Sequence, residues 1–245
     1  MKKKIALVSG AAGAMRAACA RRLHRDGFQL ALMDRNAETL ECVAQEIGGG
    51  TSHWTLDQTD ETAVRKAVAE VEERVGPIHA LVNTIGWTEG TRFVDETSDY
   101  WRKVVEINYM AALYITHAVL PGMIERQAGK IVYITSDAAK VGTGGEAVYA
   151  GAKAAEAAFA KSIARENARY NINVNCTAPG PTDSPLMREV KEQNPEMILR
   201  MTKLVPFRRL AQPEEQADVV SFLVSEDARW ITGQVISTSG GLTMN

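Results

Sequence analysis

Seven short apolar runs alternate along this chain with longer amphipathic segments, and that alternation limits the possible folds more than any other feature. Strands are expected at Lys4–Ser9, Gln29–Met33, Ser52–Leu56, Ile78–Asn83, Gly129–Thr135, Asn173–Thr177 and Gln234–Thr238. Helices are expected at about Ala14–Asp26, Ala37–Ile47, Glu61–Val75, Tyr100–Glu125, Tyr149–Tyr170 and Glu214–Ser225. Runs such as "IALV" and "KIVYIT" are apolar at consecutive positions, so these strands bury both faces, as in a parallel sheet covered by helices. The expected fold is α/β: a Rossmann-like, doubly wound parallel sheet with helices on both faces. A chain of 245 residues suits one such domain, spanning 1–245. Only Pro179–Phe207 breaks the alternation. Its helix is bracketed by Pro185, Pro195 and Pro206, and residues 184–207 read as a small substrate lobe over the carboxyl ends of the strands.

Several function classes are set aside by composition. A net charge of −2 offers no basic surface for nucleic acid or an anionic membrane. No run approaches the roughly 20 apolar residues of a membrane span. The apolar run of "MKKKIALVSG" is too short for a signal peptide. Cys19, Cys42 and Cys176 show no paired spacing, which points to reduced thiols and a cytoplasmic protein. His24, His53, His79 and His117 are scattered, so no metal site is expected.

The stretch "IALVSGAAGAMRAACARRL" joins the first strand to the first helix through a glycine- and alanine-rich turn. A pyrophosphate loop occupies that place in dinucleotide-binding sheets. Gly10 makes the tight turn, Ala14 stands at the second glycine position and Arg16 at the third. Further on, "VYAGAKAAE" sets Tyr149 and Lys153 four residues apart, on one helix face. A cation beside a phenol, whose free pKa is about 10, draws it toward the range useful for proton transfer. By itself the pair is equally ordinary surface decoration of an alanine-rich helix. Ser136, 13 positions before Tyr149, ends a strand at the sheet's carboxyl edge, where a hydroxyl can hold a substrate oxygen or simply close a strand. Asn108, inside a long amphipathic helix, is a poor helix former and marks a local role or a kink.

The glycine turn, Asn108, Ser136 and Tyr149-x-x-x-Lys153 together resemble the short-chain dehydrogenases/reductases. So do "LVNTIG", "APGPTDS" and "ITGQVISTSGG", in order, from about Lys4 to the C-terminus. The resemblance implies an oxidoreductase acting on the CH–OH group of a donor, with Asn108, Ser136, Tyr149 and Lys153 catalytic. Tyr149 would exchange the proton, Ser136 hold the reacting oxygen, Lys153 hold the nicotinamide ribose and lower the tyrosine's pKa, and Asn108 position a water. It implies cofactor contacts at Gly10, Gly13, Met15, Asp34, Arg35, Asp57, Asn83, Gly86, Tyr149, Lys153, Pro179, Gly180, Thr182 and Ser184. A homotetramer is the family's usual assembly.

Asp34, 24 residues after Gly10, suits a ribose 2′-OH and repels a 2′-phosphate, which favours NAD; Arg35 beside it can tolerate a phosphate. Relatives that prefer NADP often carry a basic residue just before the second loop glycine, where this chain has Gly13. Asp57 matches the position that meets adenine, and capping of the next helix falls to Asp60. Within the family, the segments around Tyr149 and the C-terminus are similar to hydroxyacyl-CoA dehydrogenases, including 2-hydroxycyclohexanecarboxyl-CoA dehydrogenase, and to 3-oxoacyl-thioester reductases. The small-molecule partner expected is a β-hydroxyacyl thioester or a cyclic alcohol. Met187, Met197 and Met201 can shape its pocket. Arg188, Lys191, Arg200, Lys203, Arg208 and Arg209 either meet coenzyme A phosphates or form a solvated face. Trp87 either lines the pocket or packs beneath the lobe. The altered loop leaves a second reading, a weakly catalytic NAD-binding protein. Arg16 itself has two explanations under either reading: it turns outward toward cofactor phosphate while the helix packs through Ala17 and Ala18, or it is a recent substitution; in both the loop is expected to bind NAD with altered affinity.

Overall fold

The computed structural model describes residues 3–244. Seven strands, β1 (Ile5–Ser9), β2 (Gln29–Asp34), β3 (Ser52–Thr55), β4 (Ile78–Asn83), β5 (Gly129–Ile134), β6 (Ile172–Pro179) and β7 (Val235–Thr238), form one sheet of order β3-β2-β1-β4-β5-β6-β7. Every pairing is parallel. The helices are α1 (Ala14–Arg25), α2 (Ala37–Ile47), α3 (Glu61–Arg74), α4 (Ser98–Val105), α5 (Ala111–Arg126), α6 (Ala138–Val141), α7 (Ala147–Asn167), α8 (Pro185–Gln193), α9 (Pro195–Leu204) and α10 (Pro213–Val224).

Alternation of side chains along each strand produces two cores. Ala6, Val8, Leu30, Leu32, Val82 and Val132 face one side, against Leu23 of α1, Leu40 of α2 and Val220 of α10. Leu7, Ala31, Met33, Leu81, Ile131 and Tyr133 face the other, against Val68 of α3, Ile115 of α5 and Ala160 of α7. Both faces are dry, which accounts for the unbroken apolar strand runs. Asn36 caps α2 by accepting from Thr39 N–H (3.0 Å), and Asp60 caps α3 by accepting from Thr62 (2.9 Å) and Ala63 (3.0 Å).

Three details correct the sequence expectations. The single lobe helix is two, because Asn194 caps a second helix that starts at Pro195, where the missing N–H is harmless. The long helix expected over Tyr100–Glu125 is α4 and α5 joined by a π-helical turn, Glu106–Met110. That continuous segment, Ser98–Arg126, is also long and apolar enough by composition to cross a bilayer (mean hydropathy 1.2). Here Ala112, Ile115, Val119 and Met123 are spent on the core beneath the sheet.

Candidate active site

The strand order reverses between β1 and β4, and the crevice outside their carboxyl ends is where open α/β sheets take ligands. Gly10 turns the chain there at φ +80°, a conformation costly to any residue with a Cβ. Space excludes one as well: a Cβ at Gly10 would lie 3.1 Å from Ile85 Cγ1 and 3.2 Å from Thr84 Oγ1. The Thr84 hydroxyl ties β4 to this turn, at 2.8 Å from the Ser9 carbonyl and 2.9 Å from that of Gly10. In the sequence Thr84, with Ile85, stands out only as a departure from the family's motif between Asn83 and Gly86.

Asp34 ends β2 with its carboxylate in the crevice. Oδ2 accepts from Ala12 N–H (2.9 Å) and Oδ1 from Asn36 N–H (3.0 Å), so it braces the glycine turn. Arg35 beside it is exposed. Asp57 is exposed, and hydrogen bonds from Thr59 N–H (2.9 Å) and the Thr59 hydroxyl (2.8 Å) hold its pKa below the usual carboxylate value. Gln58 is buried, and its Nε2 has no hydrogen-bond partner. These groups, with Ile85, Gly86 and Trp87, line a cavity of about 280 Å³. Trp87 is therefore a groove residue, with Lys103 Nζ 3.9 Å above its ring.

The groove fits a nicotinamide dinucleotide in three respects: a bare turn at Gly10, a carboxylate at the end of β2 for ribose, and an unsatisfied donor at Gln58. Arg16 is the element in excess. From the first turn of α1 it crosses the groove and donates from Nη2 to the Gly86 carbonyl at 2.6 Å. Its stem fills the room above Gly13, where a Cβ would sit 2.9 Å from Arg16 Cδ. Desolvation lowers the guanidinium pKa, opposed by Asp34 and Tyr149, so both acidic groups lie within its electrostatic reach.

The reactive cluster lies beside this groove. Ser136 follows β5, and its Oγ accepts from Ala138 N–H (3.2 Å). Tyr149 stands on the first turn of α7, near Ser136. Its pKa is pushed up to about 12, first by burial and then by Glu146, while Ser136 works against the rise. One turn on, Lys153 is 1% exposed. Its ammonium donates to the Ile85 carbonyl (2.8 Å), the Ile134 carbonyl (2.9 Å) and Glu156 Oε2 (2.8 Å). Glu156 is fully buried; burial raises its carboxyl pKa, and Lys153 and Asn83 oppose that.

Asn83 ends β4, and its amide donates to Glu156 Oε1 at 2.9 Å, because the buried carboxylate needs a second donor. Asn108 sits in the π-helical turn, where the loosened backbone frees its side chain to reach the β4 loop. Its Nδ2 donates to the carbonyls of Trp87 (2.7 Å) and Val104 (2.8 Å), and its Oδ1 accepts from Trp87 N–H (3.0 Å). A Cβ on Gly86 would stand 3.5 Å from both Asn108 Oδ1 and Lys153 Cε, so the bare glycine lets the two residues flank it.

The remaining expected contacts are engaged locally. Met15 packs against the α1/α10 core. Pro179 ends β6, and Gly180 lies so close to β7 that a Cβ would meet Ser239 at 2.8 Å. Thr182 Oγ1 donates to the Gly180 carbonyl (3.0 Å), and Ser184 caps α8 by accepting from Met187 N–H (3.2 Å). Several lobe cations are spoken for: Arg188 pairs with Asp183 (3.0 Å), Arg200 with Glu196 (3.2 Å) and Arg209 with Glu215 (2.6 Å). Glu156, Glu146 and Gln58 were missed by the sequence reading; the one available signal was the i, i+3 spacing of Glu156 from Lys153.

Residues 10–243 match a family model described as enoyl-(acyl carrier protein) reductase. The chain is 33% identical to nodulation protein G of Rhizobium meliloti, over 98% of this chain and 96% of that protein. It is 31% identical to 3-oxoacyl-[acyl-carrier-protein] reductase FabG of Thermotoga maritima, over 100% and 99% of the two chains. It is 34% identical to acetoacetyl-CoA reductase of Shinella zoogloeoides, over 97% and 98%. Among solved structures, a variant of actinorhodin polyketide ketoreductase with NADPH superposes with a TM-score of 0.94 at 32% identity, covering 98% of this chain and 97% of that one.

Proposed function

From the premise that this chain belongs to the short-chain dehydrogenase/reductase family of oxidoreductases, we propose that it interconverts a β-oxoacyl thioester and the β-hydroxyacyl thioester, with NAD(H) preferred. The observation that carries the reading is the grouping of Ser136, after β5, with Tyr149 and Lys153, on α7, at the carboxyl edge of the sheet, beside the groove lined by Gly10 and Asp34. When bound, the nicotinamide supplies or accepts the hydride. In the reductive direction the substrate oxygen gains negative charge. The Ser136 hydroxyl donates to that oxygen, and the Tyr149 hydroxyl delivers the proton to it. Lys153, immobilised by three acceptors, holds the loop after β4 against α7 and fixes the groove wall.

Two features support the substrate class. The names of the relatives above include reductases of 3-oxoacyl and acetoacetyl thioesters. A cleft of about 710 Å³ beside the lobe helices is lined by Met187, Ile198 and Leu199 together with Lys191 and Arg208, which suits an acyl chain with an anionic carrier. The cofactor preference rests on Asp34, whose carboxylate would repel a 2′-phosphate. The test is oxidation of NADH and of NADPH by acetoacetyl-CoA with the purified protein, followed by absorbance. Turnover that favours NADH supports the reading, and a preference for NADPH removes the Asp34 argument. A second reading, dinucleotide binding without turnover, is favoured by the single observation that Arg16 spans the groove. Measurable NADH binding with no reaction for linear or cyclic substrates would support it.

A further inference from the structure

We propose that Arg16 is a bar across the cofactor groove, and that a dinucleotide enters only after the guanidinium has left the Gly86 carbonyl. The inference rests on the reading above, since it concerns access to the groove that reading assigns to NAD(H). The arginine starts from the first turn of α1 on one wall and ends on the loop after β4 on the other, with Nη2 2.6 Å from the Gly86 carbonyl. Gly86 lies beside the reactive cluster, since a Cβ there would stand 3.5 Å from Lys153 Cε. The bar therefore shuts the groove at its reactive end. With the arginine in place the groove holds about 280 Å³. Small-molecule sites run to roughly 300–1,000 Å³, and a dinucleotide belongs at the large end of that range.

The seat of the bar is fixed, and the bar itself is free to leave. On one side of Gly86, the Ile85 carbonyl accepts from Lys153 (2.8 Å). On the other, Asn108 holds both the N–H (3.0 Å) and the carbonyl (2.7 Å) of Trp87. The loop therefore keeps its place without Arg16. The arginine has no such support: among the described residues, the bond to Gly86 is the only hydrogen bond of its side chain, and no ion pair holds it. Its stem rests on bare Gly13, and residues 12–16 are only half-buried. The side chain can swing outward while α1 stays packed through Ala17, Ala18 and Cys19. A groove open in about one molecule in ten binds tenfold more weakly than the same groove held open.

The test compares NADH and NADPH binding by the natural chain and by Arg16→Ala, using nucleotide fluorescence for the titration and stopped flow for the rates. Arg16→Ala is expected to bind about tenfold more tightly, through a faster association rate. Binding seen in Arg16→Ala alone is the extreme form of the same result. An affinity that is unchanged or weaker, a gain that comes only from slower release, or no binding of either nucleotide by either protein overturns the proposal. A crystal structure of the natural chain with NADH needs no variant: the guanidinium is expected off Gly86, and finding it still bonded there overturns the proposal as well. Tighter binding by Arg16→Ala without turnover of any thioester would refute the proposed reaction alone, because neither readout needs one.

Discussion

Replacing Glu156 with leucine tests whether the pair under the active site is as buried as it looks. The carboxylate is 0% exposed, 2.8 Å from Lys153 Nζ and 2.9 Å from Asn83 Nδ2. Removing one member of a buried pair leaves an uncompensated charge, and the cost is about 3–5 kcal/mol. That is a large part of the roughly 5–15 kcal/mol that holds a typical domain folded. Lys153→Met leaves the carboxylate unpaired and costs a similar amount. The double variant, Lys153→Met with Glu156→Leu, strands no charge. Its loss falls to the unpaired Asn83 amide, about 1–3 kcal/mol. The four proteins form a cycle with an interaction energy of at least about 3 kcal/mol, outside the range of neighbouring but independent sites. Urea unfolding at one fixed protein concentration measures it, with the slope checked for constancy. Lys4 and Glu226, an equally short pair at 2.8 Å but with side chains 55% and 66% exposed, serve as the control, with a loss of about 0–1 kcal/mol for Lys4→Ala. If Glu156→Leu costs no more than that control, or if the two single losses simply add, the burial argument fails.

Other perturbations give sharper answers at single positions. Gly10→Ala places a side chain at φ +80° against Ile85 and Thr84, and is expected to cost about 1–3 kcal/mol in urea unfolding and to weaken NADH binding measured by titration. Asp34→Ala removes the carboxylate from the ribose end of the groove, and the ratio of kcat/KM for NADH over NADPH should fall at least about tenfold, roughly 1.4 kcal/mol. Glu215 is held at about 2 by Arg209, whose two guanidinium nitrogens each reach it at 2.6 Å, and by Gln212 N–H. A carboxyl depressed on folding stabilises fully above its unfolded value of 4.5 and loses that contribution as pH falls toward 2. Glu215→Gln should therefore flatten the acid limb of the melting temperature across that window, by no more than about 1 kcal/mol because the pair is half exposed.

The sheet was legible because its signal is redundant. β1, β2, β4, β5 and β6 are buried on both faces, and each is followed by a segment of helical period, so errors of one or two residues at the ends changed nothing. Tyr149, Lys153 and Ser136 could be grouped because the ordered motifs together resemble one family; spacing alone left the pair on α7 open as surface decoration. What the sequence hid is the direction of side chains. Glu156 looks like solvent-facing charge on an alanine-rich helix, yet it shares a face with Lys153, Ala160 and Ala164, all buried. A carboxylate on that face can persist only because Lys153 and Asn83 converge on it from different elements. Arg16 posed the same difficulty. Whether it left the groove or entered it depended on the Gly86 carbonyl, 70 residues along the chain. The π-helical turn and the break at Asn194 are local backbone choices, and only the second carried a printed cue, the proline that follows it.

The stem of Arg16 lying over Gly13 makes the order of substitutions matter. Any side chain at position 13 begins with a Cβ 2.9 Å from Arg16 Cδ, so the arginine stem has to move aside for it. A residue introduced there disturbs the guanidinium seated on the Gly86 carbonyl, and that disturbance vanishes once position 16 is shortened. The two sites are epistatic, and a mutational scan that varies them one at a time would assign to position 13 a penalty that belongs to its neighbour.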